Sequence, residues 1–338
     1  MFMKHALRKN YRGLVALGLM SSVFLFPSCS NSTMDSELDL TESQVLTLIP
    51  DPSELLVVNG FGPNYKGEAN GSPEDRGRFD ITLRYLTPTT ERQREVFAQA
   101  VARWERIIIA DVPSFTGTLP SAFGGVPPIE GTIDDIIIEV ALVNIDGRGG
   151  ILGSAGPRYV RNSDNLTLSG VMQFDVADLA FLDEIDLFEE VIVHEMGHVL
   201  GVGTLWNFRR SLRAGPASNP YFTGDKANVF WNAEGGKFEL PIENSGGPGT
   251  AGGHWRESIL RNELMTGYLN LGENPLSRIT AGSMRDLGYG SSSVGESYEL
   301  PRGTKGVEVN ESGTPGNQGL NIAEMEVILM PIGIAIDN

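Results

Sequence analysis

The chain has 338 residues, enough for one large or two modest domains, and its 41% hydrophobic and 20% charged content suits a protein that buries a core. The 26 basic and 43 acidic side chains leave a net charge of −17, which argues against nucleic-acid binding and against adsorption to an anionic membrane surface. A single cysteine excludes internal disulfides, iron–sulfur ligation and a cysteine zinc cage, and the four histidines, His5, His194, His198 and His254, can be weighed one by one.

The chain opens with a positive cluster, Lys4, Arg8, Lys9 and Arg12, followed by an apolar run from Gly13 to Phe26. That run is short for a membrane span and the right length for a secretory signal, so residues 1–28 read as a removable leader and His5 leaves with it. Phe26-Pro27-Ser28-Cys29 resembles the lipobox of bacterial lipoproteins, with Phe where leucine is usual. The resemblance implies that Cys29 is acylated and anchors an exported protein to a bacterial membrane, the outer membrane or cell surface, since Ser30 rather than an aspartate follows. The plainer alternative is an ordinary signal peptide cut near Ser28, giving a secreted protein with a free cysteine. Residues 29–75 are polar and turn-rich and read as the tether.

Order is expected from Phe79 to Tyr85, an alternating strand, and then in a helix opened by the capping-box pattern Thr90-Glu91-Arg92-Gln93. Phe97, Val101, Trp104 and Ile108 would form its buried stripe. The β-branched run Ile133 to Val143 predicts one strand covered on both faces. The glycine-rich segment after it predicts a loop leading to a further strand at Val171 to Phe174. A second helix is expected from Asp186, with Glu189 completing a capping box, through to Leu200. Residues 204–275 are rich in Gly, Pro and Asn and predict mostly loops, ahead of a short helix from Ser277 to Asp286. The last residues, 291–338, end in an apolar stretch, Val327 to Ile336, which predicts a packed terminal strand with no function attached.

The second helix carries His194-Glu195-Met196-Gly197-His198. Residues four apart sit one turn apart on one helix face, so two imidazoles can grip one metal ion while Glu195 stands near its open position as a base. A catalytic zinc needs a third protein ligand, for which His254, Glu257 and Glu263 are the candidates. Gly201 stops the helix soon after His198, which favours a ligand from a loop, and His254 is the one imidazole left once the leader is gone.

His194 to Gly201, HEMGHVLG, resembles the zinc signature of the metzincin metallopeptidases, although Thr204 stands where their compact form places the third histidine. Leishmanolysin-type peptidases have a long insertion there, and here His254 follows His198 by 56 residues. HEMGHVLGVGTLW, GGPGTAGGHWRESILRNELMTGYL and NPLSRITAGSMRDLGY are similar, in that order, to bacterial members of that family, over about residues 76–290. The resemblance implies an α+β, metzincin-like fold. Residues 76–203 would hold a twisted mixed sheet, a backing helix and the zinc helix; residues 204–290 would form a loop-rich subdomain with a methionine turn and a final short helix. It implies that His194, His198 and His254 bind zinc, that Glu195 is the general base, and that Met265 and Gly201 support the site. Tyr268, three residues after Met265, is a candidate for the substrate carbonyl, with core packing as its plainer role. The family's disulfides and its inhibitory pro-segment cysteine have no counterpart here.

The activity implied is hydrolysis of peptide bonds in proteins, with Glu195 taking a proton from a metal-activated water and passing it to the leaving amine. The strand at Val171 to Phe174 is the expected sheet edge for an extended substrate, and Asp134, Asp135, Asp146 and Asp175 are candidate calcium ligands. The competing readings are a non-catalytic surface-binding lipoprotein on the same fold and a peptidase whose third ligand is a glutamate.

Overall fold

The computed structural model describes residues 55–59, 78–247, 250–300 and 319–336. The leader, Cys29 and most of the tether lie outside the described residues.

The architecture is α+β. Strand β1 (Leu56–Asn59) falls within the stretch read as tether and pairs antiparallel with β2 (Ile81–Tyr85). Helix α1 (Glu91–Ile107) begins at the expected capping box, Thr90 Oγ1 accepting from Gln93 N while Gln93 Oε1 accepts from Thr90 N. It buries Phe97, Val101 and Trp104, and Phe97 packs edge-on between Tyr85 and Phe174 at centroid distances of 5.8 and 6.0 Å.

The run expected to be one strand is broken. A hairpin of β3 (Phe115–Leu119) and β4 (Ile129–Ile133) precedes the turn Asp134-Asp135, and β5 (Ile136–Val143) follows it. The break is set by Asp135, whose carboxylate accepts from Asp80 N and Val112 N at 2.7 and 2.6 Å and so ties three segments together. The glycine-rich stretch read as a loop contains strand β6 (Gly153–Arg161), antiparallel to β7 (Thr167–Asp175). Gly and Pro hide this strand from a propensity reading, yet they are what its crowded position requires. A Cβ on Gly153 would stand 2.5 Å from Gln173 O, and one on Gly156 would overlap the carbonyl of Leu329.

The main sheet runs β1-β2-β5-β7-β6, with β2, β5 and β7 mutually parallel. Strand β7 is therefore interior, which corrects its assignment as the substrate-binding edge: β6 is the last strand of the main run.

Helix α2 (Val176–Glu184), capped by Asp175, leads into α3 (Phe188–Leu200). The capping box expected at Asp186 does not form: Asp186 takes φ 58°, and the helix begins after Leu187 with no side-chain cap. The segment that follows is loop-rich. It holds β8 (Arg213–Ala214), β9 (Tyr221–Phe222), α4 (Asp225–Ala233), β10 (Leu240–Pro241), the single turn α5 (Glu257–Leu260) and β11 (Tyr268–Leu269). Helix α6 (Arg278–Leu287), capped by Ser277 and stopped at Gly288, closes it.

Residues 319–336 return to the body. β12 (Leu320–Asn321) pairs with β11, a 3₁₀ turn spans Ile322–Glu324, and β13 (Glu326–Ile328) and β14 (Gly333–Ala335) add in parallel to the outer edge of β6. Among the described residues, no helix is long and apolar enough to cross a membrane.

Candidate metal centre and active site

Helix α3 is held from all sides. Val191, Ile192, Val193, Met196, Val199 and Leu200 are fully buried, and Trp104 Nε1 of α1 donates to Val193 O at 2.8 Å. Gly170 of β7 leaves room for the side chain of Val199, which would lie 2.2 Å from a Cβ there. Gly201, at φ 122°, ends the helix, and its N–H bonds back to Gly197 O. Two residues on, Gly203 at φ 75° lets the chain press against Gly253; a Cβ there would overlap the carbonyl of Gly253, next to His254. Thr204, at the position where a more compact site would have its histidine, instead donates from Oγ1 to His198 O at 2.7 Å.

The three histidines come together. His198 Nε2 lies 3.1 Å from both His194 Nε2 and His254 Nε2, and the latter two are 3.2 Å apart. Every Nδ1 faces a carbonyl: His194 faces Leu264 O at 2.7 Å, His198 faces Val202 O at 2.9 Å and His254 faces Thr250 O at 3.2 Å. A carbonyl only accepts, so each Nδ1 carries the proton and all three Nε2 lone pairs point to one spot. Nitrogen ligands at about 2.05 Å around a tetrahedral zinc stand about 3.3 Å apart, so the donor set fits that ion. Burial holds the pKa of His198 down to about 3, whereas at His254 the adjacent charge of Glu326 outweighs burial and raises it.

The loop carrying His254 is anchored by its neighbour. Trp255 packs between Trp206 and Phe222 at centroid distances of 4.6 and 5.3 Å, donates from Nε1 to Thr280 Oγ1, and gives its N–H to Met265 O. Met265 is fully buried and its thioether lies against Gly197. The turn that carries it is fixed by Glu263, a glutamate weighed as a ligand from sequence but placed otherwise. Its carboxylate accepts from Met265 N, Ser277 Oγ and Thr280 Oγ1. Glu257 begins α5 and is not part of the histidine cluster.

Glu195 is fully buried on α3, and no N–H or O–H among the described residues reaches its oxygens. Its neighbour is Glu326 at the start of β13, a residue that the sequence reading passed over. Glu326 Oε1 is 2.8 Å from His254 Nε2, and Oε2 is 3.4 and 3.6 Å from His194 and His198 Nε2. Burial, and then the charge of Glu326, push the Glu195 carboxyl well above the usual range. Its sequence signal, one acid leading into an apolar terminal run, was too common to single out.

Tyr268 is half-buried in β11, opposite Asn321 of β12. Calcium gains no support. Asp175 spends one oxygen on the N–H groups of Ile145, Asp146 and Gly147 and the other on Ala177 N, while Asp135 serves Asp80 and Val112. Carboxylates saturated by backbone donors have little left for a cation.

Residues 131–304, just over half of the chain, match the family model described as leishmanolysin. The chain belongs to the leishmanolysin family. It is thus a member of a family of zinc-dependent metallopeptidases, which act on proteins or peptides. The comparison with curated proteins gives no match. The leishmanolysin match takes in α3, His254 and the methionine turn, and it ends before Glu326.

Proposed function

We propose that the chain is a zinc endopeptidase in which His194, His198 and His254 hold the ion and Glu195 is the general base. The observation that carries this reading is the convergence of three Nε2 atoms within 3.2 Å, with the buried carboxyl of Glu195 on the same helix as two of them. Zinc bound there supplies Lewis acidity, which acidifies water and polarises a peptide carbonyl. Glu195 is suited to carry the proton: a carboxyl raised by burial accepts it from water and returns it to the departing amine without needing a strong acid. The carbonyls of Leu264, Val202 and Thr250 fix the ring planes, so the ligands do not reorganise on binding. A surface-binding protein on this fold would have no use for a buried Glu195.

The test is metal content read beside cleavage. One zinc per chain is expected, with most of it lost in His254→Ala. Cleavage of an unfolded protein is expected to fall at least a hundredfold in Glu195→Gln while zinc stays bound. Full zinc retention in His254→Ala would overturn the ligand set.

The same proposal places the protein outside the cytoplasm, anchored through a lipid on Cys29. The lipobox-like segment and the polar tether after it support this. Cys29→Ser is expected to move the protein from the membrane fraction to the soluble one. An unchanged distribution would favour a secreted form cut near Ser28.

A further inference from the structure

Residues 319–336 cross the site from one wall to the other. On the methionine-turn side β12 pairs with β11, Ala323 N donates to Gly267 O, and Thr250 Oγ1 donates to Ala323 O. On the sheet side Leu152 N donates to Met325 O, Leu329 N donates to Ala155 O, and β13 lies in parallel register along Gly153 to Ala155. Glu326 sits between these attachments, and its side chain, 1% exposed, is directed at the three histidines.

We propose that this segment is a built-in inhibitory strap. Glu326 takes the position at the metal that a catalytic water would need, and β13 takes the β6 edge that an extended substrate would need. The inference rests on the metal-site reading above and concerns a part of the chain beyond the family match. Three features carry it. The group at the metal is a side-chain carboxylate rather than a main-chain carbonyl, so the segment offers nothing to cleave. A carboxylate this deeply buried is stable only beside cations, and a divalent ion would offset both Glu326 and Glu195. The strap is also lightly held. Ile322, Leu329 and Ala335 are buried, but Val327, Met330, Ile334 and Ile336 are 42%, 41%, 38% and 70% exposed. It therefore competes with substrate instead of sealing the fold.

The test uses the full chain loaded with cobalt(II), whose visible spectrum reports its ligands, and acetohydroxamate as a probe that needs the open position. The spectra of Glu326→Ala and Glu326→Gln are expected to differ from that of wild type, and both variants are expected to bind the probe at least tenfold more tightly. Hydrogen exchange at Leu152 and Leu329 supplies a measure that does not depend on the variants folding well. In wild type both amides are expected to lose protection when acetohydroxamate is saturating. Equal probe affinity in all three proteins, each with cobalt bound, would overturn the strap alone. Failure of every form to take up cobalt would overturn the metal site itself and the strap with it.

Discussion

A Cβ placed on Gly197 would lie 2.7 Å from the Met265 sulfur and 2.9 Å from Trp104 Cζ2, so α3 is clamped between α1 and the methionine turn at the one residue too small to object. Gly197→Ala must push one of these aside, and Gly197 lies between Glu195 and His198. A loss of about 1–3 kcal/mol is expected for overpacking at such a point. Denaturant unfolding should show it, together with weaker zinc retention during dialysis. Unchanged values for both would mean that the clamp yields freely.

Glu263 joins the methionine turn to the start of α6 through Met265 N, Ser277 Oγ and Thr280 Oγ1. Glu263→Ala leaves four buried donors, Ser277 N being the fourth, without this acceptor, a cost of about 1–3 kcal/mol for each donor left fully unsatisfied. The variant is expected to unfold at markedly lower denaturant. It should also lose zinc, because Leu264 O is what fixes His194. Glu263→Gln retains an acceptor and should fall between the two.

Arg103, on α1, binds Glu190 of α3 at 3.0 Å, Glu296 at 2.8 Å and Asn274 O at 3.1 Å. Arg103 is buried, but Glu190 and Glu296 are 19% and 32% exposed, so water can take over part of what each carboxylate loses. Arg103→Ala should therefore destabilise by less than the ~3–5 kcal/mol of a fully buried pair, while Arg92→Ala, whose partners are exposed, should change little.

Burial is the main cause that raises the carboxyl pKa values of Asp80 and Asp135 to about 7 and of Glu105 to about 8. In the unfolded chain all three would titrate near 4. The folded state then binds more protons than the unfolded one between those limits, so their contribution is intact at acidic pH and is lost as pH rises through 7 to 8. Glu105→Gln is expected to gain stability relative to wild type as pH goes from 5.5 to 8.5. Urea midpoints at three pH values check this, and a constant difference would contradict it.

Chelation of the metal should lower the melting temperature as well as abolish cleavage. An ion present at about a hundredfold its dissociation constant contributes about 2.7 kcal/mol, and its loss would leave Glu195 and Glu326 facing each other in a buried space. Calorimetry with and without a chelator, followed by zinc add-back, measures the effect.

Much of this site could be read locally. His194 and His198 are one helical turn apart, and scarcity of imidazole pointed to His254. Capping boxes succeeded where the side chain had no better use, as at Thr90, and failed at Asp186, where the backbone turns left-handed before the helix begins. The Asp134-Asp135 break was hidden because Asp135 is committed to amides from two distant segments. Glu326 was hidden for a related reason. Its place is decided by strand pairing with β6, and β6 has the glycine and proline content of a loop. Such pairings depend on what the rest of the molecule leaves open, which no window of sequence contains.

That composition of β6 has a further consequence. Shedding residues 319–336 would bare a nine-residue edge, a ready template for pairing with another molecule. Pro157 at its middle has no N–H to offer, and the register shifts between Pro157 and Tyr159 and between Tyr159 and Val160 twist the edge out of line. A molecule that has let go of its last strands can therefore stay dispersed instead of joining edge to edge with a second copy.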